Sequence, residues 1–376
     1  MREDRKVCHH LEHGLYISPQ REYKPCCIYS NSLANNLEDY LSSPELAKLK
    51  SDFAHGLQPA GCQQCWNDED SGHPSKRTRD LEYVFGKQKP SNGLFVIMVA
   101  LGNSCNLACR TCGSYSSTTW IQEEEKSGKE IEIFPHNRFY REKSFMDELK
   151  EISKNVGHVY FMGGESLLAG INEHLDYLDH LIGQSPEKIH LHYTTNATMF
   201  PNEKFWSRWN RFKMVDIQLS IDGINEHFDY TRWPATWKEV SQNVKRYQDL
   251  VSGQDNIKLT IGHVVSIFTV YYFPEFFKWC LQNKLKDPFI SLLKYPKHYD
   301  IRSLPLKVKD KVRQKLSKYH FDEIINYLDQ EDFSEVFETT MEYINDYDKQ
   351  REQSFEETFP EFYQILKEYN ETTTTG

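Results

Sequence analysis

Three of the nine cysteines stand in the run Leu101-Gly-Asn-Ser-Cys105-Asn-Leu-Ala-Cys109-Arg-Thr-Cys112-Gly113. The spacing, Cys-x3-Cys-x2-Cys, offers three thiolates from one short loop. A [4Fe–4S] cubane has four irons, and ferredoxin-type runs that only carry electrons use a fourth cysteine to close the coordination. Three local ligands leave one iron open to a substrate or cofactor, which suits chemistry more than electron storage. Zinc is the rival metal for the same thiols.

A second group lies near the N-terminus: Cys8, Cys26, Cys27, Cys62 and Cys65. Cys62-Gln-Gln-Cys65 is a chelating pair, and Pro25-Cys26 follows a strand-like Gly14-Leu-Tyr-Ile-Ser stretch. Cys8, Cys26, Cys62 and Cys65 are assigned to one four-ligand centre, which leaves Cys27 spare. An iron–sulfur cluster and a four-thiolate zinc are both open there. His9, His10 and His13 could replace a thiolate, although neighbouring histidines in an exposed loop are ordinarily only solvated. Cys280, in Phe276-Phe-Lys-Trp-Cys280-Leu, reads as a small buried apolar residue.

Elements that could hold these groups follow from the apolar pattern. Six runs, Leu94–Leu101, Val156–Met162, Ile189–Thr194, Val215–Ile221, Ile257–Val265 and Phe289–Leu293, have the length and β-branched or aromatic content of strands buried on both faces. Amphipathic stretches separate them, such as Leu175-x-x-Leu178-x-x-Leu181 and Val240-x-x-x-Val244-x-x-Tyr247. The alternation predicts an α/β fold with a parallel sheet, a partial (β/α)6 TIM-like barrel, whose functional groups gather at the C-terminal ends of strands. The Cys105–Cys112 loop directly follows the first of these strands.

Residues 1–90 have weak periodicity and read as a small N-terminal domain held by metal more than by core; residues 91–300 would form the barrel. Residues 301–376 read as a helical C-terminal extension, with Phe321, Ile324, Ile325 and Leu328 at helical spacing and a disordered end from Thr372 to Gly376. From Phe321 to Glu371 there are 16 acidic residues against three basic ones. The −13 of that stretch, set against −10 for the whole chain, leaves +3 elsewhere. The expected reading is a solvated helical face, with docking of a basic partner as the alternative. No apolar run is long enough for a membrane span, and the locally clustered cysteines fit a reducing cytoplasm better than a secreted disulfide scaffold. Without basic-aromatic alternation, nucleic-acid binding is not expected.

Three more motifs occur in order at the ends of the expected strands: Met162-Gly163-Gly164-Glu165, Thr195-Asn196, and Ser220-Ile221-Asp222-Gly223 with Arg232 beyond it. With the cysteine triplet they make the chain resemble the radical S-adenosylmethionine (SAM) enzymes over roughly Gly93 to Pro296. The resemblance implies that Cys105, Cys109 and Cys112 hold a [4Fe–4S] cluster whose open iron binds SAM. It places Gly163, Gly164, Glu165, Asn196, Ser220, Asp222 and Arg232 around SAM. The glycines would let backbone approach the methionine ammonium. Glu165 would add to a negative rim or brace the loop, and Arg232 would meet the SAM carboxylate or form a surface ion pair. Asp222 and Asn196 could instead serve their turns. The family's aromatic residue before the third cysteine is replaced by Thr111, so Tyr115 or Trp120 would have to stand in against adenine. Val264 and Val265 would flank adenine or pack in the core.

In such enzymes an electron enters the cluster, the SAM sulfonium bond breaks homolytically, and a 5′-deoxyadenosyl radical abstracts a substrate hydrogen, with no side chain needed as general base. The N-terminal cysteines, with Gly61-Cys-Gln-Gln-Cys-Trp-Asn-Asp-Glu, resemble the twitch module, a shortened relative of the SPASM domain that binds an auxiliary [4Fe–4S] cluster. That module usually follows the barrel, and here it would precede it. The resemblance implies a peptide or protein side chain as substrate and a flavodoxin or ferredoxin as electron donor. The alternatives are small-molecule biosynthesis on the same chemistry, and a non-catalytic, metal-stabilised binding protein.

Overall fold

The apolar runs fold as their β-branched and aromatic content dictates. A computed structural model of the chain describes residues 6–72, 74–86, 93–127, 132–285 and 288–374. Its strands are β1 (Gly14–Ile17), β2 (Tyr23–Lys24), β3 (Val96–Ala100), β4 (His158–Met162), β5 (His190–Thr195), β6 (Met214–Ser220), β7 (Ile257–Val265) and β8 (Phe289–Leu292). They form one eight-stranded sheet in the order β2-β1-β3-β4-β5-β6-β7-β8. Every neighbouring pair is parallel except β1 with β2. The six expected strands are β3 to β8, each within a few residues of its apolar run. The sheet runs from β2 at one edge to β8 at the other as an open arc, a partial barrel.

Two expectations change. The segment before β3 is not held by metal alone: Leu15, Tyr23, Tyr40, Leu49, Phe53 and Trp66 are buried in the same core as the barrel, and β1 pairs with β3. Nor are the barrel strands apolar on both faces. Val159, Phe161, Leu191, Tyr193, Val215 and Ile217 are fully buried. They face the helices, with Phe161 4.2 Å from the His174 ring and Tyr193 4.8 Å from that of Trp209. On the opposite, concave face stand His158, Tyr160, His190, His192, Asp216 and Gln218, most of them only half-buried. The N-terminal segment crosses this face. Lys76 Nζ lies 5.7 Å from the Tyr160 ring of β4, while Arg79 sits over Phe289 and Asp68 Oδ1 lies 2.5 Å from Lys294 Nζ at the β8 edge.

The acidic C-terminal extension is not only a solvated face. Phe355 and Phe359 are buried against Tyr230, and Asp348 accepts from Arg110 Nη2 at 2.6 Å and from the Tyr230 hydroxyl at 2.7 Å. The closing helix Pro360–Thr374 carries Thr372 to Thr374 in helical backbone where disorder was expected; Thr375 and Gly376 lie outside the described residues. Cys280 is fully buried in the helix Phe273–Gln282, as a small apolar residue would be.

His174 shows what the helix-facing core demands of a titratable group. It is fully buried, Nε2 meets the Tyr193 hydroxyl at 2.9 Å, and burial lowers its pKa to about 3. The folded protein therefore holds it neutral while the unfolded chain takes up a proton near pH 6.5. Stability is expected to fall as pH drops from about 6.5 toward 3, and His174→Phe should flatten that slope in urea unfolding measured at each pH.

Candidate active site

The β3–helix loop carrying Cys105, Cys109 and Cys112 is fixed by buried hydrogen bonds. Asn103 Nδ2 donates to the carbonyls of Ser114 (3.1 Å) and Pro135 (2.9 Å), and its Oδ1 accepts from Asn137 N. Trp120 Nε1 donates to the Cys109 carbonyl at 2.9 Å, and Thr118 and Thr119 hydroxyls donate to that of Cys105. Arg110, between the cysteines, is fully buried with its guanidinium 4.1 Å from the Tyr230 ring and its Nη2 on Asp348 and Gln353. Asn103 and Arg110 went unnoticed in the sequence; their only signal was a polar residue beside each cysteine.

The Gly163-Gly164-Glu165 turn packs directly on this loop. Gly163 and Gly164 have φ of +74° and +47°, and a Cβ on Gly164 would lie 2.5 Å from the Ser104 carbonyl oxygen. Glu165 N donates to that same carbonyl at 2.8 Å. The Glu165 carboxylate is not on a rim. It is fully buried, accepting from Thr195 Oγ1 and Asn196 N at 2.7 Å each and from Leu167 N at 3.1 Å. It therefore braces the β4 turn against the end of β5. Gly164→Ala combines a backbone clash with an unfavourable φ, and should cost about 1–3 kcal/mol and weaken SAM binding, measured by unfolding and by calorimetric titration.

Asn196 and Arg232 both reach the cysteines. Asn196 Nδ2 lies 3.0 Å from Asn106 Oδ1 and 3.9 Å from Cys105 Sγ. Arg232 is no surface ion pair: it is buried, with Nη2 2.6 Å from Asp222 Oδ2 and Nη1 3.8 Å from Cys109 Sγ. Burial works against its charge, but Asp222 and then Cys109 outweigh that and hold it protonated. Asp222 Oδ1 also accepts from Val264 N at 2.7 Å, tying β6 to β7. Ser220 ends β6 opposite Gly262. Val265 is core. Trp120 is buried, and Tyr115 gives its hydroxyl to Glu22.

These residues fit an iron–sulfur cluster and SAM. Burial, reinforced for Cys105 by the neighbouring Cys109, pushes both thiols up, so iron must displace their protons. The donors beside Cys105 and Cys109 are of the kind that tunes a cluster, and Arg232 Nε is buried without a partner.

At the other end of the sheet, Cys8, Cys26, Cys62 and Cys65 line one cavity, with His10, Tyr29, Phe53, Lys76 and Arg77. Burial raises the Cys8 and Cys62 thiols to about 12. Cys27 packs with Cys26 against the cluster of Tyr16, Phe85, Val96 and Met98 and is not among the residues that line this cavity. His10 is not in an exposed loop: it is buried in the helix His9–His13, and its Nε2 lies 2.6 Å from Asp80 Oδ2.

Residues 99–266 match the sequence model of the Radical SAM superfamily. No curated protein matches the chain. Among solved structures, native anSMEcpe with bound AdoMet is 20% identical, covering 61% of this chain and 61% of its own, with a TM-score of 0.41. Streptococcus suis SuiB bound to S-adenosylmethionine is 14% identical, covering 76% of this chain and 57% of its own, with a TM-score of 0.40. The match thus spans roughly three-fifths of each structure's length, and at these scores it adds nothing to the assignment. The family match covers the cysteine loop, the glycine turn and the Asp222–Arg232 pair together, so the likeness of this chain to the Radical SAM superfamily lies over residues 99–266.

Proposed function

We propose that this enzyme takes a hydrogen atom from a side chain of a peptide or protein, and that Cys8, Cys26, Cys62 and Cys65 hold an auxiliary [4Fe–4S] cluster. The carrying observation is the convergence of those four cysteines, from three separate segments, on one cavity. A four-thiolate zinc is the alternative occupant of the same cavity.

Cys105, Cys109 and Cys112 hold the SAM-binding cluster in this reading. When bound, cluster and SAM supply one-electron cleavage of the sulfonium bond and a hydrogen-abstracting 5′-deoxyadenosyl radical. The chain's own part is positioning. Glu165 and Asn103 fix the two loops, Asn196 and Arg232 place donors at the cysteine sulfurs, and Gly163, Gly164, Ser220 and Asp222 shape the SAM side. Residues 1–90 serve as the auxiliary-cluster domain, 91–300 as the barrel and 301–376 as its acidic helical cover. A flavodoxin or ferredoxin supplies the electron, and the reducing cytoplasm suits the free thiols. No helix among the described residues is long and apolar enough to cross a membrane.

Anaerobically reconstituted protein should carry about eight irons per chain, and a Cys62→Ala/Cys65→Ala chain about four; zinc, or unchanged iron in that variant, overturns the auxiliary cluster. For the substrate, deuterium should pass into 5′-deoxyadenosine from a perdeuterated peptide digest. Transfer only from a perdeuterated small-metabolite extract overturns the peptide reading.

A further inference from the structure

The concave face of the sheet carries a second constellation, unrelated to either cysteine group. His158 opens β4, and His190 and His192 lie two apart on β5, with His158 directly opposite His190 in the parallel register. Side chains two apart on a strand share a face. One ring nitrogen from each of the three histidines lies within 4.8 Å of the other two, and this is the one such group of metal-ligating side chains among the described residues. His158 Nδ1 and His192 Nε2 are 3.0 Å apart. Two imidazoles on a metal with bonds of about 2.0–2.1 Å place their nitrogens about 2.9–3.4 Å apart for octahedral to tetrahedral angles. His190 Nε2 is buried and has no hydrogen-bond partner.

We infer that His158, His190 and His192 bind a divalent transition-metal cation, Zn2+ or Fe2+ by ligand type, with three protein nitrogens and a coordination position left open on the concave face. Imidazole is the ligand that suits these metals, and three protein ligands with an open position are what a reactive rather than purely structural centre keeps.

The surroundings have the form of a second shell. With Nε2 on the metal, the other nitrogen of His192, Nδ1, lies 3.3 Å from Asp216 Oδ2, the carboxylate–histidine–metal arrangement that fixes a ligand ring. Tyr160 stacks on His192 with ring centres 4.0 Å apart, which holds the ring plane. Lys76, Lys213 and Lys258 repel a cation here, while Asp80 and Asp216 attract it. From His158 to Met162 is four steps along β4, so the centre stands about 13 Å along the strand from the Gly163 turn. It lies on the floor of the concave face, beneath the N-terminal segment that crosses there.

The test uses holoenzyme with its clusters loaded, desalted and titrated anaerobically with Co2+. Binding of about one equivalent should give the visible ligand-field bands of nitrogen-ligated cobalt, without the near-ultraviolet charge-transfer band of cobalt–thiolate. His190→Ala and His192→Ala should each lose those bands while iron content and unfolding midpoint stay unchanged. Asp216→Asn should weaken cobalt binding by about 10–100-fold. No ligand-field bands, thiolate charge transfer alone, or bands that persist in both histidine variants would overturn the site. If His192→Ala loses iron through misfolding, His190→Gln, at the half-buried position, decides the matter: retained bands contradict the inference and lost bands support it. None of these readouts depends on SAM cleavage, so failure here is distinguishable from failure of the proposed function.

Discussion

A Cys109→Ala chain is expected to lose about four irons per molecule and all detectable cleavage of SAM, while its unfolding midpoint changes little. Cys109 is the thiol that the structure surrounds most closely with functional groups. Its carbonyl accepts from Trp120, its sulfur is met by Arg232, and the flanking Ala108 and Arg110 amides donate to the carbonyls of Trp233 and Thr231. The loop's shape rests on those backbone bonds and on Asn103, none of which the substitution removes. Loss of the cluster without loss of the fold is therefore the expected combination. Iron and sulfide assays with anaerobic urea unfolding separate the two, and a chain that keeps its iron would show that Cys109 is not a ligand.

Arg232→Met should have the largest effect on stability, lowering it by about 3–5 kcal/mol, because it strips the partner from a buried carboxylate. Asp222 has 5% of its side chain exposed and lies 2.6 Å from Arg232 Nη2. With Arg232 gone, Asp222 keeps the Val264 amide but no compensating charge. The double variant Asp222→Asn/Arg232→Met should recover part of the loss, since neither charge is then stranded. Removing the cation beside Cys109 should also make the cluster harder to reduce, seen as a more negative midpoint in an anaerobic redox titration. Equal unfolding free energies for the single variant and the parent would remove the buried pair from this account.

How much of this was legible in the sequence depends on which face of the sheet a residue takes. Val159, Phe161, Leu191 and Ile217 face the helices, and their runs placed β3 to β8 closely. The cysteine triplet and the glycine turn were equally plain, because thiols at that spacing and paired glycines have few other uses. The concave face was harder to read. In His190-Leu-His192-Tyr and Asp216-Ile-Gln218-Leu the polar residues alternate with apolar ones, a period-2 signal for a half-buried strand. It was submerged in runs read as wholly apolar, so His158, His190 and His192 went unremarked.

Partners distant in sequence were invisible for a different reason. Arg110 finds Asp348 across 238 residues and Arg351 finds Glu123 across 228, so only the fold reveals that part of the acidic surplus is spent inside the protein. Likewise Glu165 could be assigned to a rim or a brace from its motif, and three hydrogen bonds to its carboxylate decide for the brace. The strand-like Gly14-Leu-Tyr-Ile-Ser stretch is β1, but nothing in its pattern showed that it would pair with β3 and join the barrel's own sheet.

The most direct test is the fate of SAM on cluster-loaded protein. With dithionite present, the parent chain should form 5′-deoxyadenosine and methionine in equal amounts, and the Cys105→Ala chain, matched for folding, should form neither. Absence of 5′-deoxyadenosine from parent protein that carries its full iron and sulfide would contradict the account.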